Sequence, residues 1–407
     1  MSRDPAEPRL LIYSQDGLGL GHLRRTTLLA SEFLAARPDG SVLTICDSPL
    51  GLFFPRTPGH DYLKLPSIRK LGPGDWSPVS LASPFGDVRT LREATILSAA
   101  TSFDPDVLLV DHMPHGAMGE LVPTLEAFDG SSVRKVLGLR DIVDAPATVR
   151  RRWSLEGAFE AVERHFDEVL VYGSRQVFDV EVQYKWPAAI ASRLSYCGYI
   201  CSPTPTSSPE AVRRRYLGEA DDGQLIVAMA GGGADAYALF DTLVRSVPQV
   251  MAGRRLAVVI VTGPFLPDSD WLRLRQLADG LPITLLPSVA DSVSHLAAAD
   301  LVVGMAGYNT TAEILGVGAR ALLVPRAGPS AEQQIRANSF AERGWVHTLA
   351  PPLLSPESLA VAIGQALEAP ALPPVDLPDL RGRERAAARL LDGTPLGIDR
   401  SQPELVV

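Results

Sequence analysis

The chain is patterned as short apolar runs separated by stretches with helical spacing. In the first half the runs are RLLIYS (9–14), SVLTIC (41–46), DVLLVD (106–111), KVLGLR (135–140) and EVLVYG (168–173). They are rich in β-branched residues and nearly continuous in apolar character, the pattern of parallel strands covered on both faces. Between the first two, Leu28, Leu29, Phe33 and Leu34 recur at helical spacing. Right-handed crossovers stack such units into a doubly wound layer.

The alternation stops at CGYICSPTPTSSPEAV (197–212), which is dense in Pro, Ser and Thr and cannot continue a sheet. It resumes with GQLIVAMAGGG, RLAVVIVTG, ITLLPSV, ADLVVGMAG and ARALLVPR. The expected fold is therefore α/β, with two doubly wound Rossmann-like domains, residues 1–200 and 201–375, facing a cleft. Open parallel sheets take ligands beyond the carboxyl ends of their strands, so both sets of loops would line it. A tail, 376–407, carries RGRERAAARLLDG, which reads as one last short helix before an irregular end.

Composition narrows the picture. A length of 407 residues suits two cores. No apolar run reaches the roughly 18 residues of a membrane span, and MSRDPAEPRLLIYS lacks a signal-peptide pattern, so a cytoplasmic protein is expected. A net charge of −9 argues against nucleic acid as the main partner. Three cysteines give neither a disulfide framework nor a four-ligand zinc site.

Four segments carry candidate chemistry. The first is SQDGLGLGHLRR, where Gly17, Gly19 and Gly21 alternate before His22 at a helix start. Such a turn lets backbone approach a phosphate, and the helix offers free N–H groups. An imidazole there can serve as a base at neutral pH. Asp47, at the end of the second strand, stands where a dinucleotide enzyme would place a ribose carboxylate. The second segment is Gly231-Gly232-Gly233 between strand Leu225–Met229 and a helix expected from about Ala234; a diphosphate fits it. The third is the polar turn Gly307-Tyr308-Asn309-Thr310-Thr311 followed by Glu313, in which Thr310-x-x-Glu313 also reads as a capping box. The fourth is Glu332-Gln333-Gln334, whose amides can bond sugar hydroxyls or simply be solvated.

In this order the four segments resemble the GT-B glycosyltransferases related to the bacterial enzyme that adds N-acetylglucosamine to the lipid-linked peptidoglycan precursor. The likeness covers roughly residues 224–346, with a family 28-like C-terminal domain, and in the N-terminal half mostly the GLGLGH loop. The resemblance implies a GT-B fold. It implies donor diphosphate contacts at Gly19, Gly21, Gly231, Gly232 and Gly233. The uracil would be held by main chain near Ser288 and Val289, and the ribose by Glu313. The donor sugar would meet Asn309, Thr310, Gln333 and Gln334, with His22 as general base. The stretches LPSIRKLG, VDHMPHGAMGEL and LGLRDIVDAP are similar instead to a group of predicted glycosyltransferases of unknown acceptor, so the acceptor is not carried over.

Strand ends supply further candidates. Asp111, beside His22, is a second candidate for the catalytic machinery, and His112, His115 and Arg140 fall on the acceptor side. Asp104-Pro-Asp106 and Asp268-Ser-Asp270 match a metal-binding text pattern but read as turn residues, so no metal is expected. Leu52, Phe53 and Phe54 beside Arg56, Arg69 and Lys70 suit either peripheral contact with the inner face of a membrane or core packing.

The expected function is an inverting, metal-independent transfer of sugar from a nucleotide-activated donor, a UDP-sugar, to a hydroxyl acceptor that is a small molecule or lipid-linked. No cofactor is expected beyond that donor. Alternatives are a nucleotide-sugar hydrolase or 2-epimerase, a non-catalytic nucleotide-sugar-binding subunit and, more distantly, an NAD enzyme.

Overall fold

The five apolar runs of the first half lie side by side in one parallel sheet. This is seen in a computed structural model of the chain, which describes residues 7–16, 19–50, 53–55, 57–72, 75–202, 204–220, 222–370 and 376–392. Gly17, Leu52, Arg56, the side chain of Lys70 and the end of the tail, 393–407, lie outside the described residues.

The first sheet contains β1 (Arg9–Ser14), β2 (Ser41–Cys46), β3 (His60–Lys64), β6 (Val107–Asp111), β7 (Arg134–Arg140), β8 (Glu168–Tyr172) and β9 (Leu194–Tyr196), in the order β3-β2-β1-β6-β7-β8-β9. A separate antiparallel hairpin joins β4 (Ile68–Gly72) to β5 (Asp75–Pro78). The second sheet holds β10 (Gln224–Met229), β11 (Leu256–Val261), β12 (Ile283–Leu286), β13 (Leu301–Gly304), β14 (Ala321–Leu323) and β15 (His347–Thr348), in the order β12-β11-β10-β13-β14-β15. Every pairing in the two large sheets is parallel. In each, the chain turns back beside its first strand, which opens a crevice at the carboxyl ends.

The central strands are buried throughout because helices cover both faces. Leu11, Val110 and Leu137 pack on one face of the first sheet. Leu10, Ile12 and Leu109 face the helix α1 (Gly21–Ala36), and this core continues into the second domain through Tyr199, Tyr308 and Phe340. Ile226, Val258 and Phe240 fill the far face of the second sheet.

The tail sequence does form a helix, Gly382–Leu391. It packs on α1 and β8 of the first domain and is pinned there by the Arg383–Glu32 and Arg389–Glu168 ion pairs. After Gly231–Gly233 the expected helix starts three residues late, at Tyr237, so a turn rather than a helix directly follows the glycines. Gly233 has φ 89°, and a Cβ there would lie 2.0 Å from the Thr262 carbonyl oxygen, so only glycine fits. Among the described residues no helix is long and apolar enough to cross a membrane.

The two sheets are fixed to each other by a buried ion pair. Arg336 reaches across to Asp141, with Nε to Oδ2 at 3.0 Å and Nη2 to Oδ1 at 2.6 Å, and both side chains are sealed from water. Tyr199, from the connecting segment, donates to the same carboxylate at 3.0 Å. Removing one partner leaves a charge buried alone, which costs about 3–5 kcal/mol. Arg336→Met should therefore lower stability by that order in urea unfolding, and Arg336→Met with Asp141→Leu should recover much of the loss. Equal stability of Arg336→Met and the parent chain would remove the pair from this role.

Candidate active site

The site begins where the carboxyl end of the first sheet meets the first turn of α1. Asp111 ends β6, in register with Ser14 of β1 and Gly138 of β7. Its Oδ2 lies 2.7 Å from His22 Nδ1 and 2.6 Å from Arg25 Nη2. His22 and Arg25 are one helical turn apart, so both reach down onto one carboxylate. The Arg25 guanidinium also lies 5.4 Å from the ring centre of Tyr172 and 5.3 Å from that of Tyr308. Burial alone would raise the Asp111 pKa, but Arg25 and His22 outweigh it and lower the carboxyl to about 2. Asp111 is thus a fixed anion. Arg25 Nη2 also lies 3.0 Å from His22 Nδ1; in the tautomer that carries its proton on Nδ1, His22 donates to Asp111 and leaves Nε2 as the acceptor, and Nε2 has no hydrogen-bond partner among the described residues.

Around this group several buried polar atoms, Ser14 Oγ, Asp111 Oδ1, Tyr172 Oη and Arg25 Nε, have no hydrogen-bond partner among the described residues. The Tyr172 hydroxyl occupies the space over Gly138, where a Cβ would come within 2.2 Å of it.

The helix N-terminus is organised by a residue that sequence reasoning passed over. The Asp16 carboxylate accepts from the His22 backbone N–H (3.2 Å) and from that of Leu23, while its own N–H donates to Asp47 (2.8 Å). It therefore fills part of the need for acceptors at the start of α1. Burial is the main reason its pKa is raised to about 6. Asp47 is not a ribose ligand: it is wholly buried, receives that N–H and pairs with Arg92 (3.3 Å), which also binds Glu120. The carboxylate that an NAD enzyme would need is consumed by the core.

The remaining candidates fall around the cleft. His112 follows Asp111 with φ 88°, a strained conformation for a non-glycine residue, and its ring centre is 5.3 Å from that of His22. Burial, helped by Arg140 and His22, pushes the His112 pKa well down, and burial also lowers that of His115. Arg140 meets Glu332 across the cleft at 2.8 Å. Gly19 and Gly232 face each other: a Cβ on Gly232 would lie 3.8 Å from the Gly19 Cα. Asn309 Nδ2 donates to the Gly21 carbonyl at 3.0 Å, leaving its Oδ1 buried and unpaired. Thr310 is half-buried on the same turn, and Ser288 and Val289 follow β12 with Ser288 exposed. Gln333 Oε1 accepts from the Arg326 N–H at 3.1 Å, and Gln334 is exposed.

Glu313 does not close a capping box. Its helix starts at Tyr308 with Gly307 as N-cap and no side-chain cap, so Glu313 sits in the second turn, 4 % exposed. Arg24 pairs with it at 2.5 Å and Ser202 donates to it at 2.6 Å.

The text-matched acid pairs are structural. Asp106 accepts from the Arg9 N–H, Asp104 ends a helix, and Asp268 and Asp270 lie in the first turn of another. Phe53 is 36 % exposed and meets Phe54 edge-on, with Arg24 6.0 Å over the Phe54 ring.

Comparison with known proteins supports this architecture. Residues 226–372 match the family model of the glycosyltransferase family 28 C-terminal domain. The UDP-N-acetylglucosamine--N-acetylmuramyl-(pentapeptide) pyrophosphoryl-undecaprenol N-acetylglucosamine transferase of Aromatoleum aromaticum is 34% identical over 139 residues, 34% of this chain and 38% of that protein. The chain spans about half or less of the length of the curated relatives it matches. Acinetobacter baumannii MurG has a TM-score of 0.58 at 16% identity, over 95% of this chain and all of that one. A putative UDP-N-acetylglucosamine 2-epimerase from Listeria monocytogenes has 0.60 at 14%, over 95% of each chain. The fold is GT-B, with a family 28-like C-terminal domain, as the sequence resemblance implied.

The raised pKa of Asp16 has a direct consequence for stability. The folded chain keeps a proton that the unfolded chain releases at the ordinary value near 3.8. The group therefore contributes stability below that value and loses it as pH rises through about 6. The difference is at most roughly 3 kcal/mol. Asp16→Asn should flatten the fall in unfolding free energy between pH 4 and 6, measured by urea titration at each pH. An unchanged slope would show that Asp16 is ionised at low cost.

Proposed function

We propose that the chain transfers a sugar, with inversion, from a UDP-sugar to a hydroxyl acceptor, with His22 as the base. The observation that carries this reading is the His22–Asp111–Arg25 group at the start of α1, just after the loop in which Gly19 meets Gly232 of the second domain. The acceptor oxygen gives its proton to His22 Nε2 as it bonds to the anomeric carbon. The bond from that carbon to the diphosphate oxygen breaks, and UDP leaves with the electron pair. Asp111, accepting from Nδ1, stabilises the imidazolium that forms. Backbone N–H groups of Gly19, Gly21, Gly231 and Gly232 receive the charge on the leaving diphosphate, that of Gly233 being taken by the Ala230 carbonyl, so the reaction needs no metal ion.

The matched segment bears on the donor half of the site. The relatives' names specify a UDP-N-acetylglucosamine donor and a lipid-linked acceptor. We carry over the nucleotide class and leave the acceptor as a hydroxyl on a small or lipid-linked molecule. In this reading Glu313 takes the ribose, main chain near Ser288 and Val289 the uracil, and Asn309, Thr310, Gln333 and Gln334 the donor sugar. His112, His115 and Arg140 face the acceptor. The enzyme works in the cytoplasm, and Phe53 and Phe54 are the segment that would touch a membrane face.

Calorimetric titration with UDP, TDP, GDP and NAD tests the donor site. UDP should bind selectively, and Glu313→Ala should weaken it by about tenfold or more, the scale of one lost charged hydrogen bond. Absence of nucleotide diphosphate binding by the folded chain would sink the donor assignment.

His22→Ala should leave UDP affinity within about threefold and lower kcat by roughly 10²–10⁴. Full activity in that variant would remove His22 from the chemistry. Release of free sugar without any acceptor would favour hydrolysis with water in place of the hydroxyl.

A further inference from the structure

The carboxylate of Glu313 is held by one oxygen only. Oε1 pairs with Arg24 Nη2 at 2.5 Å and accepts from Ser202 Oγ at 2.6 Å. The same Nη2 donates to Ser292 Oγ at 2.8 Å and to Ser202 Oγ at 3.2 Å. Glu313 Oε2 has no hydrogen-bond partner among the described residues and is not sealed from solvent. The second domain thus supplies Glu313 and Ser292, the connecting segment Ser202, and the first domain only Arg24, on α1.

A buried carboxylate needs a compensating charge and donors. Here the charge comes from the opposite domain. While the domains meet, Arg24 and Ser202 fix the rotamer of Glu313 and leave Oε2 as its free acceptor. With the domains apart, Glu313 loses its cation and the constraint on its side chain.

We propose that Arg24 is a positioning residue for ribose recognition: it holds Glu313 Oε1 so that Oε2 meets a ribose hydroxyl, and it thereby ties nucleotide selectivity to contact between the domains. This rests on the assignment of Glu313 to the ribose. Selectivity for the sugar hydroxyls, rather than affinity alone, is the property Arg24 controls. A direct phosphate contact by Arg24 would weaken every nucleotide diphosphate alike.

The test is calorimetric titration of the full chain with UDP, 2′-deoxy-UDP and 3′-deoxy-UDP. The parent chain should prefer UDP to at least one deoxy analogue by about tenfold or more, the scale of one hydrogen bond to a charged group. Arg24→Met should reduce that preference to about threefold or less, as should Glu313→Gln, and Arg24→Lys should restore part of it. Arg24→Met combined with Glu313→Gln should be no less selective than Glu313→Gln alone within about twofold, because the residues act as one unit. Thermal unfolding of each variant establishes that it is folded. If Arg24→Met keeps full selectivity while Glu313→Gln loses it, or weakens UDP and both deoxy analogues equally, the positioning role is overturned and the ribose assignment stands. If the parent chain does not bind UDP, or Glu313→Gln binds all three nucleotides as the parent does, the ribose assignment itself fails and this proposal with it.

Discussion

The relation between the two domains depends on the Arg336–Asp141 pair. A guanidinium and a carboxylate that meet through two parallel bonds fix orientation as well as distance. The pair is sealed from water, with Glu332 Oε2 4.0 Å from Arg336 and the Ile142 N–H donating to Asp141 at 2.7 Å. Tyr199 adds a third donor to Asp141, and its ring stacks on Tyr308 and meets Phe340 edge-on. The Ala306 carbonyl accepts the remaining Arg336 nitrogen at 2.7 Å. Polar and aromatic contacts therefore converge where the connecting segment passes between the sheets. With that point fixed, the strand-end loops of the two sheets face each other closely enough for Gly232 to approach Gly19 and for Asn309 to reach Gly21.

Two carboxylate–arginine pairs at neighbouring strand ends show how similar local chemistry serves different ends. Asp47 follows β2 and Asp111 ends β6; each is buried and meets an arginine carried by a helix. Around Asp47 the other groups are Arg92, Glu120, Tyr13 and the Asp16 backbone, with Tyr13 Oη donating to Glu120 at 2.5 Å. That network extends to the Pro66 carbonyl, which accepts from Arg92 Nη1 at 2.5 Å. Around Asp111 the third group is an imidazole that stays 18 % exposed, and several neighbouring atoms have no partner among the described residues. The two groups differ in their third member, a second carboxylate beside Arg92 and Asp47 and an imidazole beside Arg25 and Asp111.

The sequence made one level of this plain and concealed another. Parallel strands buried on both faces must be continuous apolar runs, so β1, β2, β6, β7, β8, β10, β11 and β13 could be read directly. The short edge elements β3, β9 and β15 carry weaker apolar signals and were not read. His22 and Asp111 were found because a glycine turn and a strand end mark the crevice. Arg25, Arg24 and Arg336 were not, since their carboxylate partners lie far along the chain; Asp16 was not, since it holds the head of α1 from outside the N-cap position. Asp47 misled because it and Asp111 both stand at strand ends and both meet an arginine, so only the groups beyond that arginine tell them apart. Thr310-x-x-Glu313 fitted a capping box as text, but the helix starts earlier, at Tyr308, and so carries Glu313 into the interface.

One helical turn joins these levels. Residues His22, Arg24 and Arg25 lie within four positions of each other on α1. At 3.6 residues per turn, His22 and Arg25 share a face and both reach Asp111. Arg24 points well away from that face and crosses to Glu313. The backbone N–H groups at the head of the same turn are held by Asp16. The rigid start of α1 thus spaces the imidazole from the interdomain carboxylate by covalent geometry alone. A shift of the second domain away from α1 would break the Arg24 contact yet leave the His22–Asp111–Arg25 group whole, because all three of its members belong to the first domain. The His22–Asp111–Arg25 group is preassembled, whereas the arrangement of Glu313 requires both domains, and that asymmetry follows from which face of one helix each side chain occupies.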